Sequence, residues 1–273
     1  MTQKNYGGST FSYMWNSDAG SAMRELRNIG LNDFDALVLP GHLWHEELSA
    51  ADRSDLVATL SQDDIRIESL NIPALDQNLA SVVPEARRYA IDLYRQVLQL
   101  SADLRSKAVV VVPGRVSSLF PPPLSVSADL LRDSLENLLK TAEQLDQLLY
   151  LELHPQTPVN TAQKLADFLD EIPHPRLKVA YDVSNAEFVS EDHARALRTL
   201  APRLGQLHLS DGTRTSWRHD RVGTGSVPFS EILATLDEIH FTGSRIIEVI
   251  STEAVKDIRA SHNSLQRMQC EER

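Results

Sequence analysis

The sequence predicts an α/β fold, a single (β/α)8 barrel that covers residues 1–273. Apolar runs typical of strands alternate with helical patterns along the whole chain, which indicates a parallel sheet covered by helices. We count eight runs and eight helical segments, and a barrel of this kind commonly uses about 250 residues. Each of the last four runs also carries an acidic residue or a histidine at or near its end. Together these observations favour one barrel over two smaller domains.

The first half of the chain supplies four strands, each followed by a helix. Gly30 suits the left-handed residue that ends the first helix, Pro84 suits the first turn of the third, and Ser127 can cap the fourth. The run over residues 108–112 is entirely apolar, as expected for a strand buried on both faces. The predicted strands are residues 6–13, 36–39, 65–72 and 108–112, and the predicted helices are residues 19–29, 46–61, 84–100 and 128–145.

The second half repeats the unit with polar residues in the strands. Asn160 or Thr161 can cap the helix that ends near residue 171. The strand-like runs are QLLYLELHP, RLKVAYDVSN, LGQLHLSDG and SRIIEVIS. The remaining predicted helices are residues 192–200, 229–240 and 252–268. Two long segments at the predicted mouth, residues 113–127 and 211–228, have no regular pattern and are interpreted as loops.

Composition and charge restrict the class of partner. Apolar residues make up 42% of the chain, enough for a packed core, and the formal charge is 27 − 38 = −11. A broad basic surface for a phosphate backbone is therefore not expected, and we predict no nucleic-acid partner. Cys270 is the single cysteine, so an intrachain disulfide is excluded. The start, MTQKNYGG, has no apolar targeting segment, and no run reaches the roughly 18 apolar residues of a membrane span. We therefore predict a cytoplasmic protein without a membrane partner.

Four polar residues stand at the ends of the last four strands. Glu152 lies among leucines, where an unpaired carboxylate would cost several kcal/mol, so a cationic group must meet it. Asp182, His208 and Glu248 occupy similar places in the following strands, and the carboxyl ends of barrel strands meet at one mouth. These four side chains suit a divalent cation such as Mn, Mg, Co or Zn. Taken singly, each glutamate could pair with a buried arginine, Asp182 could cap a loop, and His208 could be a core histidine.

The motifs ELH, YDVSN, HLSDG, RHDRVGTGSVPF and IIEV, in that order, resemble the xylose isomerase-like TIM-barrel superfamily. This sugar phosphate isomerase/epimerase group includes ketose 3-epimerases, hydroxypyruvate isomerase and inosose dehydratase, and endonuclease IV is a relative. The resemblance covers nearly the whole chain and implies that Glu152, Asp182, His208 and Glu248 hold one divalent metal, with manganese as the first choice. It also implies that the two glutamates, Glu152 and Glu248, move the proton, and that the chain forms a homo-oligomer.

The chain departs from the family pattern at informative positions. Asn185 stands where many members have the histidine of a DVxH motif. Endonuclease IV needs several more histidines and an aspartate, whereas this chain has Asn71 at its third strand and Trp217 two residues before His219. A trinuclear zinc site is therefore not predicted. Substrate-binding roles are assigned to five residues near the mouth: His154, Asn185, Asp211, Arg214 and His219.

The chemistry implied is proton transfer beside a carbonyl. A metal chelated by a ketone and its neighbouring hydroxyl acidifies the C–H bond and stabilises an enediolate, and a carboxylate removes the proton. We predict an isomerase or epimerase of a small sugar, keto-sugar or related polyol acid. The runner-up is a metal-dependent dehydratase, a lyase of a keto-sugar or keto-inositol. A sugar-binding barrel without activity and an abasic-site endonuclease are more distant alternatives.

Overall fold

The computed structural model describes residues 6–74, 76–117 and 119–271. Residues 1–5, part of the start predicted to carry no targeting segment, lie outside the described residues. The strands, in chain order, are β1 (Gly7–Ser9), β2 (Asp33–Leu37), β3 (Arg66–Asn71), β4 (Ala108–Val111), β5 (Leu148–Glu152), β6 (Leu177–Asp182), β7 (Leu204–Leu209), β8 (Asp211–Thr213), β9 (Ser216–Asp220) and β10 (Ser244–Ile247).

Eight of these strands close into one barrel in the order β1-β10-β7-β6-β5-β4-β3-β2. The strand pairs of the barrel are all parallel, so the carboxyl ends share one mouth, and the predicted barrel is confirmed. In this order β3 and β7 are four positions apart in both directions around the barrel. Side chains on these two strands can therefore meet only across the barrel interior.

Nine α-helices occur among the described residues, one more than predicted. Pro84 opens the third helix and the Thr161 hydroxyl accepts from Lys164 N, both as the sequence indicates. Gly30 has a φ of +93°, a conformation that glycine adopts without strain. None of the described helices is both long and apolar enough to cross a bilayer. The helices are α1 (Ala19–Arg27), α2 (Ala50–Gln62), α3 (Pro84–Asp103), α4 (Leu124–Gln144), α5 (Ala162–Asp170), α6 (Val183–Phe188), α7 (His193–Leu200), α8 (Phe229–Glu238) and α9 (Ala254–Glu271).

Three local predictions are wrong. The first strand ends at Ser9, because Tyr13 N bonds to Thr10 O and turns residues 11–13 into a short 3₁₀ helix. Ser127 does not cap α4, since that helix begins three residues earlier and buries Ser127. The ninth helix is α6, which starts directly after β6 because the Asp182 carboxylate caps it by accepting from Asn185 N at 2.7 Å.

The segment over residues 211–228, predicted to be an irregular loop, contains an antiparallel hairpin of β8 and β9. The Asp211 carboxylate accepts backbone N–H bonds from residues 212, 223, 224 and 227, so it holds the following loop in place. The hairpin packs against α6 and carries Trp217 and His219 to the mouth of the barrel.

The part of the barrel interior that lies away from the mouth is filled by side chains. Tyr150 packs there with Ala108, Val110 and Ala180, separately from the larger apolar core between strands and helices. A Cβ at position 205 would lie 2.6 Å from the Tyr150 ring, so only glycine leaves room for that ring. The barrel is thus a packed core below and a polar pocket above.

Candidate metal centre and active site

The four residues predicted as metal ligands project from neighbouring strands into the same space. Glu152 ends β5, Asp182 ends β6, His208 lies in β7 and Glu248 directly follows β10. Asp182 is in register with His208, which is in register with Ile246, two residues before Glu248. Because side chains of paired residues point to the same face of a sheet, the strand register brings all four into the barrel. One ligand atom from each lies within 4.8 Å of the others, and all four residues are buried.

His208 lies at the centre of this cluster. Its Nδ1 atom is 3.3 Å from Glu152 Oε1, 3.3 Å from Glu248 Oε2 and 4.0 Å from Asp182 Oδ2. Three buried atoms of the cluster have no hydrogen-bond partner among the described residues: Asp182 Oδ2, His208 Nδ1 and Glu248 Oε1. Buried polar atoms are normally satisfied, so three such atoms in one compact cluster fit a site for a cation.

The cluster concentrates negative charge. Burial raises the pKa of Asp182, and the charges of Glu248 and Glu152 raise it further against the opposing effect of His219. Burial alone would lower the pKa of His208, but the Glu248 charge and contacts with both glutamates hold it well above its usual range. With three carboxylates and only two imidazoles, those of His208 and His219, the site needs bound protons or a cation to balance its charge. A buried uncompensated charge is strongly unfavourable.

A divalent cation fits this set of donors. It would neutralise the excess charge and satisfy the three atoms without partners. Three carboxylates and one imidazole are ligands that Mn²⁺, Mg²⁺, Co²⁺ and Zn²⁺ accept. A cation at the centre of the four residues would balance the charge of the carboxylates. A buried arginine beside Glu152 or Glu248 is then not required.

His219 reaches the cluster from the hairpin. Its Nδ1 atom is 3.5 Å from Glu248 Oε2 and 3.6 Å from Asp182 Oδ2, and Ser210 Oγ lies at 3.2 Å. Burial lowers the pKa of His219, but the Asp182 charge and a hydrogen bond to Glu248 raise it to about 9. In the absence of a cation, His219 therefore supplies positive charge to the two carboxylates.

A cavity of about 230 Å³ opens above the cluster at the mouth. Ligand pockets usually measure about 300–1,000 Å³, so this one suits a small molecule. A larger cavity of 380 Å³ lies at the opposite end of the barrel but contains none of the four residues. The mouth cavity is lined by Phe11, Met14, Asn71, Pro73, Ala74, Val112, Glu152, His154, Asn185, Trp217, His219 and Ile250.

Three of the predicted substrate-binding residues line this cavity. His154 is buried, has no hydrogen-bond partner for its Nδ1 atom in the described parts of the chain, and meets the Trp217 ring edge-on at a centroid distance of 5.0 Å. Asn185 donates to Leu153 O at 3.1 Å and accepts from Trp217 Nε1 at 2.7 Å. His219 also lines the cavity, so it contacts both this space and the carboxylates.

The other two predicted substrate-binding residues lie elsewhere. Asp211 is saturated by backbone N–H groups, and Arg214 is 62% exposed and pairs with Glu187 at 3.3 Å. These contacts fit a role in holding the hairpin, and substrate binding by either residue stays a prediction. Two further arginines of the segment also point away from the cavity lining, Arg218 toward Asp220 and Arg221 toward Asp257.

A buried polar group beneath the cluster, formed by Asp35, Ser69 and Gln206, is not evident from the sequence patterns. One signal was present, because Gln206 stands two residues before His208 and therefore faces the same side of the strand. The sequence identifies Trp217 only as a residue that cannot bind a metal. Its role as a cavity wall depends on the hairpin, which has no clear sequence pattern.

A family model described as a xylose isomerase-like TIM barrel matches residues 23–268. Among curated proteins, a D-psicose 3-epimerase of Enterocloster bolteae is 29% identical over 185 residues, which cover 64% of this chain and 59% of that protein. A D-psicose 3-epimerase of Agrobacterium fabrum is 23% identical over 250 residues, or 88% of this chain and 82% of that protein. The first two curated relatives are matched over only 59% and 60% of their lengths.

Solved structures share the fold over the whole chain. The crystal structure of a D-tagatose 3-epimerase-like protein superposes with a TM-score of 0.84, covering 98% of this chain and 99% of that chain at 20% identity. At this identity the similarity concerns the barrel itself.

Proposed function

We propose that this chain, which belongs to the xylose isomerase-like TIM-barrel family, is a divalent-metal-dependent epimerase or isomerase of a small ketose. The single observation that carries the proposal is the buried cluster of Glu152, Asp182, His208 and Glu248 beneath a small cavity at the mouth. The named epimerases among its relatives support the same reaction class.

The four residues of the cluster would hold the cation, and manganese is our first choice, with magnesium, cobalt or zinc as the other candidates. When bound, the cation supplies Lewis-acid polarisation of a ketone and its neighbouring hydroxyl, which makes the C–H bond of the hydroxyl-bearing carbon more acidic. His208 contributes a neutral nitrogen donor, so the site does not rely on carboxylates alone.

Glu152 and Glu248 are the candidate proton-transfer residues. They project from β5 and from the end of β10, which are three strands apart in the barrel order, and each lies 3.3 Å from His208 Nδ1. Two carboxylates that approach from different strands can reach opposite faces of one carbon. One removes the proton to give the enediolate of the sugar, and the other returns a proton to the opposite face, which inverts that carbon. Return to the neighbouring carbon would give aldose–ketose isomerisation instead.

The cavity favours an uncharged sugar. Among the described residues, its lining includes no lysine or arginine, the side chains that usually bind a phosphate or carboxylate. Arg115, on the loop after β4, donates to Gln156 at 2.8 Å. His154 and Asn185 are proposed to bind substrate hydroxyls, and Trp217 to cover an apolar face of the sugar. We also propose a cytoplasmic location, from the sequence, and a homo-oligomer, from the family resemblance.

The test is a substrate screen in D₂O. Metal-stripped protein is reloaded separately with Mn²⁺, Co²⁺, Mg²⁺ or Zn²⁺ and incubated with neutral ketoses and their phosphates, and products are followed by proton NMR. We expect metal-dependent conversion of a neutral ketose, with one solvent deuterium at the inverted carbon. A vinylic or deoxy product would identify a dehydratase instead. Absence of cation binding together with absence of turnover would reject the proposal.

A further inference from the structure

A line of buried polar side chains crosses the barrel beneath His208. Gln206 Oε1 lies 3.2 Å from His208 Nε2, and Gln206 Nε2 donates to Ser69 Oγ at 2.8 Å. Ser69 Oγ donates to Asp35 Oδ1 at 2.5 Å, and Asn71 Nδ2 donates to Asp35 Oδ2 at 3.0 Å. His208, Gln206, Ser69 and Asp35 have no exposed surface. We name the three residues Gln206, Ser69 and Asp35 the cross-barrel relay.

The relay joins opposite sides of the barrel. Gln206 belongs to β7 and Ser69 to β3, which face each other across the interior, while Asp35 lies in β2 beside Ser69. Below the relay the interior is filled by Tyr150 and small apolar residues. Polar groups in such a place are stable only when each one is hydrogen-bonded, and every member of the relay is.

The relay has a defined direction. The two oxygens of Asp35 accept from Ser69 and Asn71, so the Ser69 hydroxyl uses its single proton on Asp35. Ser69 Oγ must then accept from Gln206, which turns the amide NH₂ toward Ser69. The Gln206 carbonyl oxygen consequently faces His208 Nε2, and that nitrogen must carry a proton to complete the bond.

We propose that Asp35, acting through Ser69 and Gln206, holds one imidazole proton of His208 on Nε2 and thereby makes Nδ1 the nitrogen that binds the cation. Nδ1 is the nitrogen that faces Glu152, Glu248 and Asp182. Asp35, Ser69 and Gln206 are thus positioning residues, and their effect on the cation depends on the metal site of the proposed function. Partners that orient a histidine ligand in this way are a general feature of metal sites.

Breaking the relay removes the reason for this orientation. If Ser69 loses its hydroxyl, or if Asp35 becomes an amide that can present either atom, the Gln206 side chain is free to rotate by half a turn. Its NH₂ would then face His208 Nε2 and favour the proton on Nδ1. A proton on Nδ1 competes directly with the cation, so cation binding weakens while the carboxylates stay in place.

The experiment measures cation binding by calorimetry with Mn²⁺ in metal-stripped wild-type protein and in the variants Ser69→Ala and Asp35→Asn. We expect each variant to bind Mn²⁺ about 10- to 100-fold more weakly, the usual effect of removing such a partner. The matched control is Ser101→Ala, because Ser101 is also fully buried and donates to a glutamine, Gln147 Oε1, at 2.6 Å outside the relay. Thermal unfolding of all four proteins checks that they remain folded.

A second readout tests the hydrogen bond from His208 Nε2–H to the Gln206 oxygen. In ¹⁵N-labelled protein loaded with diamagnetic Zn²⁺, NMR should show an exchange-protected Nε2–H of His208 in the wild type and in Ser101→Ala. In Ser69→Ala and Asp35→Asn the same proton should exchange faster with solvent and its signal should weaken, because the Gln206 oxygen is no longer held in place to accept it. Variants that bind Mn²⁺ like the wild type and keep the Nε2–H signal would overturn the relay and leave the proposed function standing. A wild-type protein that binds no cation would overturn both.

Discussion

The indole N–H of Trp217 donates to the side-chain oxygen of Asn185 at 2.7 Å, and this bond fixes one wall of the mouth cavity. Asn185 also donates to Leu153 O, so the amide is held at both ends. Phe188 stacks on the indole at a centroid distance of 5.9 Å. The hydrogen bond between Asn185 and Trp217 therefore fixes a rigid aromatic ring at the position two residues before His219. This ring cannot bind a metal.

Replacing Asn185 by leucine should loosen this wall. The Trp217 N–H would lose its partner, and the net loss of one hydrogen bond is about 1 kcal/mol, or roughly a fivefold to tenfold change. For the ketose identified by the proposed substrate screen, we expect KM to rise by about that factor, with kcat changed less. Steady-state kinetics would measure both constants. The matched control is Trp15→Ala, which removes an indole that is 69% exposed, and an unchanged KM in Asn185→Leu would contradict the role of the wall.

On the proposed function, replacing Glu152 or Glu248 by glutamine should stop epimerisation but not all proton exchange. We expect kcat of Glu152→Gln and Glu248→Gln to fall by about 10²- to 10⁴-fold, the usual contribution of a positioned acid or base. The glutamate that remains can still take a proton from one face, so each variant should exchange deuterium into one epimer only, and the two variants into different epimers. Proton NMR in D₂O would show this.

The control for the glutamate variants is Glu253→Gln, an exposed glutamate that pairs with Lys256. Metal content is measured for every sample, because both glutamates are also proposed ligands. Deuterium exchange into the same epimer by both variants would contradict the assignment of one carboxylate to each face.

Cation affinity should increase with pH. In the cation-free protein, burial and the charges of Glu248 and Glu152 raise the pKa of Asp182; burial opposes protonation of His208, but the neighbouring carboxylates raise its pKa. Protons therefore occupy the site near neutral pH and must leave when the cation binds. Calorimetry in two buffers of different ionisation enthalpy, between about pH 6 and 8, should show proton release and tighter binding at higher pH. Equal affinities and no proton release would contradict this.

Stability on the acid side should depend on His193. This buried imidazole lies 3.1 Å from Glu187 Oε2 and 3.0 Å from the Tyr181 hydroxyl, and burial lowers its pKa despite the Glu187 contact. The unfolded chain, with a histidine pKa of about 6.5, then binds more protons than the folded one, so the free energy of unfolding falls as pH drops below that value. Denaturant unfolding at about pH 5 and 7.5 should show a smaller pH effect in His193→Gln. The control is the exposed His240→Asn, and an equal slope in all three proteins would contradict the assignment.

The alternation of side chains along a strand explains why the convergence of the four residues could be predicted from the sequence. Glu152, Asp182 and His208 each interrupt or end an apolar strand, and in a parallel barrel the mouth is common to all strands. Glu248 follows β10 by one residue, yet the same spacing brings it inward. The predicted convergence of these four side chains therefore depended only on local pattern and on the closed topology.

Contacts across the barrel could not be predicted in the same way. The pairing of Gln206 with Ser69 depends on which strands are diametrically opposite and on the width of the interior, and neither leaves a local trace in the sequence. The role of Asp211 in holding the loop could not be predicted either, because its carboxylate accepts hydrogen bonds from backbone groups up to 16 residues away. Helix starts were missed where the capping signal was weak, as at α4, whose first turn follows Pro123 without a side-chain cap.

The packing of Tyr150 inside the barrel has a consequence for how a small molecule enters and leaves the site. Because the Tyr150 ring packs inside the barrel beneath the site, the substrate of the proposed epimerase and its product would enter and leave by the mouth alone. On the proposed function, each stereoisomer would exclude the other while it occupies the cavity, so accumulated product would slow the forward reaction by competition until the two sugars reach equilibrium.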